Sequence, residues 1–159
     1  GAAVTGHFEV VDDVHAAWVG GPELTGSLHR EPGLSNSSGA HQGHQPGLFE
    51  QPDEVREFPL GRFELVEVGG MTLGRATYEP GWRWSEHVGS SPDDRCQVEH
   101  VGLVVSGHAA VRMDDGTERV MKPGDLFHVP PGHDSWVVGD EPYVSLHFTG
   151  GERYALSPT

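Results

Sequence analysis

The chain has 159 residues, with 24 Asp plus Glu against 10 Lys plus Arg and a formal charge of −14. That balance repels nucleic acid and anionic lipid surfaces; no apolar run is long enough to cross a bilayer, and no signal-peptide pattern is present. Twenty-three glycines and twelve prolines among short β-branched runs, without a long amphipathic helix, point to one all-β domain rich in turns. A single cysteine, Cys96, excludes an intramolecular disulfide framework and fits a reducing, cytoplasmic setting.

In chain order, residues 1–48 read as a flexible N-terminal arm or linker, largely irregular. HFEVVDDVHAAW at 7–18 has the mixed spacing of a strand followed by a turn of helix. From Gly20 to Gly47 the Gly, Ser, Pro, Asn and Gln content is too high to bury a core, and His41 and His44 read there as solvated side chains. The folded domain spans 49–150. Arg62 to Val68 and Met71 to Tyr78 alternate around Gly69-Gly70, a two-residue hairpin turn. WRWSEHV follows Pro80-Gly81, and the polar loop GSSPDD leads to Cys96.

Residues 99–136 then read as a β-meander. Val101, Leu103 and Val105 alternate up to Ser106-Gly107; Ala109, Val111 and Met113 alternate up to Asp114-Asp115-Gly116; Thr117 to Met121 leads to Pro123-Gly124. GDLFHVPPGH is a short apolar strand that a double proline and a glycine stop, delivering His133 and Asp134 to a loop. A last strand runs from Tyr143 to Phe148, and 151–159 is left as a C-terminal tail. About eight short strands separated by turns predict a double-sheet jelly roll or a small barrel.

These residues resemble the cupin superfamily over about 60–148. The family's first motif is a glycine, five residues, His-x-His, three or four residues, Glu, six residues and a glycine. Here Gly81 and His87 match its start, and His100 with Gly107 its end, but Gly89 stands at the second His, His100 at the Glu, and ten residues separate them. The second motif is met by Gly124, Pro130 and Gly132, with Ser135 where the family has His and His133 two positions earlier. WRWSEHV, CQ-x-x-H and PPGHD-x-W together look like a group of small single-domain actinobacterial cupins.

The resemblance implies a jelly-roll barrel, a homodimer, and a metal held by His87, His100 and His133, which cupin geometry would bring to one point. Such an imidazole set suits iron, zinc, nickel, copper or cobalt. Cys96, four residues before His100, shares its face in an extended strand and is a fourth candidate ligand, or else a small buried hydrophobe. Glu99 would replace His100 only if the register slipped by one. His128 and His147 are reserve ligands. Trp82, Trp84, Ser135 and Trp136 are candidates for the wall of a small-molecule pocket, or for barrel packing. Asp134 is a candidate base or imidazole-orienting group, or a turn cap. The expected function is metal-dependent chemistry on a small molecule, a dioxygenase or related oxidoreductase. Its alternatives are a metal-dependent isomerase or cyclase, and a non-catalytic ligand-binding or sensor protein.

Overall fold

The structure is a computed structural model that describes residues 8–11, 47–91 and 93–156. The helical turn expected after Val11, the arm up to residue 46, and the His41 and His44 pair lie outside the described residues. Ten strands form among the described residues: β1 (Glu9–Val11), β2 (Glu54–Phe58), β3 (Gly61–Val68), β4 (Met71–Tyr78), β5 (His100–Ser106), β6 (His108–Met113), β7 (Glu118–Met121), β8 (Leu126–Val129), β9 (His133–Val138) and β10 (Tyr143–Thr149). One α-helical turn, α1 (Trp84–His87), and 3-10 turns at Leu48–Glu50 and Gly151–Arg153 accompany them.

The hairpin of β3 and β4 follows from its turn. Gly69 and Gly70 both take positive φ, 59° and 78°, the paired left-handed geometry whose twist matches antiparallel strands, and Val68 pairs with Met71. β2 adds to the outer edge of β3 through a Pro59-Leu60 turn. It is short, charged and mostly exposed, which suits an edge and leaves little apolar alternation to detect.

The strands form two antiparallel sheets, ordered β1-β8-β5-β10-β4-β3-β2 and β7-β6-β9. The free side of β9 is closed by the chain entering α1: Arg83 bridges Trp136, and the Val137 N–H donates to the Trp82 carbonyl at 3.0 Å. After β5 the chain crosses to the small sheet for β6 and β7, returns for β8, crosses again for β9 and returns for β10. That double crossing is the jelly roll expected. Gly107 makes the first crossing, at φ +68°, with room for nothing larger because a Cβ would lie 2.3 Å from the Pro142 carbonyl oxygen.

Phe63, Leu65, Ala76, Tyr78, Val104, Ala109, Val111, Met121, Phe127 and Val129 fill the space between the sheets. Burying a Val- or Phe-sized side chain stabilises by roughly 1.5–3 kcal/mol, so this interior drives closure of the barrel. The parity of two strands is unexpected. On β5 the inward set is His100, Gly102 and Val104, while Val101 and Leu103 are half-buried and Val105 is exposed. On β10 the inward set is Tyr143, Ser145 and His147, with Val144, Leu146 and Phe148 on the other face. Both strands therefore turn polar and small residues into the barrel.

The segment after β10, expected as a tail, packs into the domain as far as Tyr154. Arg56 donates to the carbonyls of Gly151, Glu152 and Tyr154, and the Tyr154 ring is buried beside Phe63. The signal was a lone tyrosine without periodicity, and long-range contacts with Arg56, Phe63 and Tyr78 make it part of the core.

Where β5 meets β10, a Cβ on Gly102 would lie 2.2 Å from the Leu146 carbonyl oxygen and 2.5 Å from Phe127 Cζ. Gly102→Ala is therefore expected to cost about 2–3 kcal/mol, measured as a lower urea midpoint at unchanged m-value.

Candidate metal site

Cys96, His100 and His133 come together inside the barrel. One ligand atom from each lies within 4.8 Å of the others, and all three side chains are buried. β5 supplies His100 from its first residue, and β9 supplies His133 from its first residue. Cys96 comes from the loop before β5, which is pinned to β9 by backbone bonds. The Cys96 N–H donates to the His133 carbonyl at 2.8 Å, and the Gly132 N–H donates to the Cys96 carbonyl at 2.8 Å. Val98 and Glu99 then carry the chain into β5, leaving Cys96 Sγ 3.5 Å from His100 Nε2.

The donor set suits a transition ion. Around a tetrahedral ion with sulfur at about 2.3 Å and nitrogen at about 2.0–2.1 Å, sulfur and nitrogen stand roughly 3.6 Å apart, close to the 3.5 Å between Cys96 and His100. The His133 Nδ1–H donates to the Pro130 carbonyl at 2.6 Å, which fixes the tautomer and leaves Nε2 with a lone pair. Burial holds His100 well below the usual imidazole range, with His147 and His133 adding repulsion, and it lowers His133 and His147 to about 4. The imidazoles are therefore neutral, the form that ligates. Burial pushes the Cys96 thiol up to about 11, so without a cation it keeps its proton; a bound metal reverses that preference by favouring the thiolate.

His87 is not part of the group. Trp84–His87 forms a helical turn, and His87 Nδ1 accepts the Arg83 N–H at 3.0 Å. The cause is Asp134. It lies on the face of β9 opposite His133 and Ser135, buried, and it takes the Ser85 N–H at 3.0 Å, the Ser85 hydroxyl at 3.1 Å and an Arg83 ion pair at 2.7 Å. Those bonds cap the turn and draw it onto β9. Asp134 is thus a structural clamp and not a base in the cavity.

The tryptophans divide. Trp82 is buried, lines the cavity and stacks on Tyr78 at 3.7 Å. Trp136 lies on the outer face between the Arg83 and Arg112 guanidinium groups, at 4.6 and 5.2 Å. Trp84 sits in α1 outside the cavity, whereas Ser135 lines it. Glu99 is exposed and pairs with His128 at 2.8 Å, so the register has not slipped and neither residue reaches the group.

Sequence reasoning underrated His147 and missed Tyr78, Tyr154 and Ser145. His147 stands 5.2 Å from the His100 ring and its Nε2 pairs with Ser145 Oγ at 3.1 Å, while the Tyr78 and Tyr154 hydroxyls meet at 2.8 Å. The Ser-x-His alternation on β10 was the available signal. The cavity between the sheets has a volume of only about 40 Å³, room for roughly two or three waters and far below the 300 Å³ or more of an ordinary metabolite pocket.

A two-sheet jelly roll with a buried histidine cluster between its sheets is a cupin fold. No protein-family profile and no curated relative matches the sequence. Among solved structures, the chain is similar to an oxalate decarboxylase from Lactobacillus farciminis in complex with formate (21% identity, 59% of this chain, 30% of that one, TM-score 0.42). It is also similar to a Bacillus subtilis oxalate decarboxylase (26%, 63% and 28%, TM-score 0.42) and to a cupin 2 domain-containing protein from Halorhodospira halophila (24%, 55% and 61%, TM-score 0.42). The chain spans about a third of the oxalate decarboxylases it matches. The fold assignment rests on the strand order and the inward histidines. No helix among the described residues is long and apolar enough to cross a membrane.

Two outcomes follow from this geometry. Asp134→Ala strips a buried acceptor from Arg83 and Ser85 and is expected to cost about 3 kcal/mol, read by chemical denaturation. For metal-free protein, His133 and His147 have folded pKa values near 4 against 6.5 in an open chain, so unfolding takes up protons between those values. Their contribution is fully present above 6.5 and is lost as pH falls toward 4. The urea midpoint should therefore drop between pH of about 7 and about 5.

Proposed function

We propose that the protein is a metal-dependent cupin acting on a small molecule, with dioxygenase or related oxidoreductase chemistry as its activity. The observation that carries the reading is the convergence of three buried ligand atoms, from Cys96, His100 and His133, within 4.8 Å. A transition ion held there would supply Lewis acidity and, if redox-active, a route for electrons between substrate and dioxygen.

The chain's own residues provide the rest. Cys96 contributes an anionic thiolate once its proton is released, which two neutral imidazoles do not. His133 is oriented by the Pro130 carbonyl. Phe127, Val111 and Met121 keep the cavity apolar, and the Tyr78 and Tyr154 phenols, held protonated by burial, remain hydrogen-bond donors at neutral pH. Low local polarity strengthens each polar contact made inside.

A second reading, a ligand-binding or sensor protein, is favoured by the small size of the cavity, which holds no substrate body. The two separate by oxygen consumption across enols, catechols and thiols.

Elemental analysis of untagged protein purified without added metal is the first test. Near-stoichiometric transition metal is expected, abolished by Cys96→Ala, His100→Ala or His133→Ala and retained by His87→Ala. Loading should release protons and weaken as pH falls, since ligation requires the thiolate. Metal-free wild-type protein that stays empty when offered iron, zinc, nickel, copper or cobalt would sink the proposal.

A further inference from the structure

A second space adjoins the Cys96, His100 and His133 group from outside the barrel. It is a surface pocket of about 230 Å³ between α1, the loop over 89–98 and the C-terminal residues 153–156. The cavity on the other side measures about 40 Å³. Cys96 lines the outer pocket while His100 and His133 line the inner cavity.

Trp84 forms one wall of the outer pocket with part of its half-buried ring. Arg153 is exposed on the rim, and its guanidinium has no acidic partner among the described residues, although the chain carries 24 acidic residues against 10 basic ones. The pocket's one carboxylate is already engaged. Asp94 accepts from the Ser90 N–H at 2.7 Å, the Ser91 N–H at 3.0 Å and the Ser91 hydroxyl at 3.1 Å. Val88 and Val98 complete an apolar wall beside Trp84.

We propose that this outer pocket binds a small planar organic carboxylate, with its charge on Arg153 and its body along Trp84, next to Cys96. The Arg153 cation on the rim, beside the Trp84 ring and the Val88 and Val98 side chains, matches an anionic head on a flat apolar body. The volume fits one such molecule. The proposal names the substrate class of the site proposed above and rests on that reading for its chemistry, whereas binding itself is measured without metal.

The probe is benzoate, titrated into the metal-free full chain and followed by the Trp84 indole N–H and backbone amide resonances. Saturable shifts at Trp84, Gly89 and Val98 are expected, weakening as salt is raised. Arg153→Gln should reduce affinity tenfold or more. Gln97→Trp, an exposed wall position, should block the pocket while leaving Arg153 in place; far-UV circular dichroism checks that both variants fold. Absence of saturable binding, shifts confined to the barrel residues Val111 and Tyr143, or unchanged affinity in Arg153→Gln would overturn the proposal. Protein that binds benzoate here yet takes up no metal would sink the metal reading and keep this pocket. Protein that takes up metal and ignores benzoate would do the reverse.

Discussion

Two backbone hydrogen bonds at Cys96 assemble the interior. Through them the polar loop that interrupts the first motif is tied to the start of β9, so the loop behaves as a bridge between the sheets. Without that tie Cys96 would sit on an unrestrained ten-residue insertion between Gly89 and His100. With it, thiol and imidazole are held 3.5 Å apart in a buried setting. Backbone bonds suit this task because they hold position whatever the protonation state of the side chains.

The second constraint is electrostatic. The protein buries His100, His133 and His147 together, which is tolerable only while they are neutral. Hydrogen bonds from His133 to Pro130 and between Ser145 and His147 satisfy part of the polar demand, but His100 Nδ1 and His147 Nδ1 have no partner among the described residues. The histidine cluster thus carries two buried ring nitrogens without a protein partner among the described residues. Asp134 works on the other face of β9, where an ion pair with Arg83 and hydrogen bonds from the Ser85 N–H and hydroxyl hold α1 against the sheet.

His100, His133 and Cys96 were legible because spacing and turn chemistry act locally. Pro130-Pro131-Gly132 stops β8 and starts β9, and the four-residue step from Cys96 to His100 puts both on one side. His87 was misplaced because it was assigned by its spacing from Gly81 in the motif, which does not show that Asp134, nearly fifty residues later, caps a helical turn at Ser85. His147 and Tyr154 were obscured for a related reason. Their burial depends on strands β4, β5 and β10 closing around them, and an apolar run such as Val101-Leu103-Val105 suggests the wrong face when His100, Gly102 and Val104 are the residues turned inward.

By itself the sequence determined the class of architecture and most of its punctuation. Glycine and proline turns, a two-residue hairpin, short alternating runs and an acidic surface leave few folds other than a jelly roll, because each acts over a few residues. Tertiary structure alone decided which side of β5 and β10 faces inward, which histidines meet, that Asp134 is a clamp, and that the chain beyond β10 enters the core. Those outcomes hinge on contacts between residues far apart in the chain, whose free energies appear only once both sheets have closed.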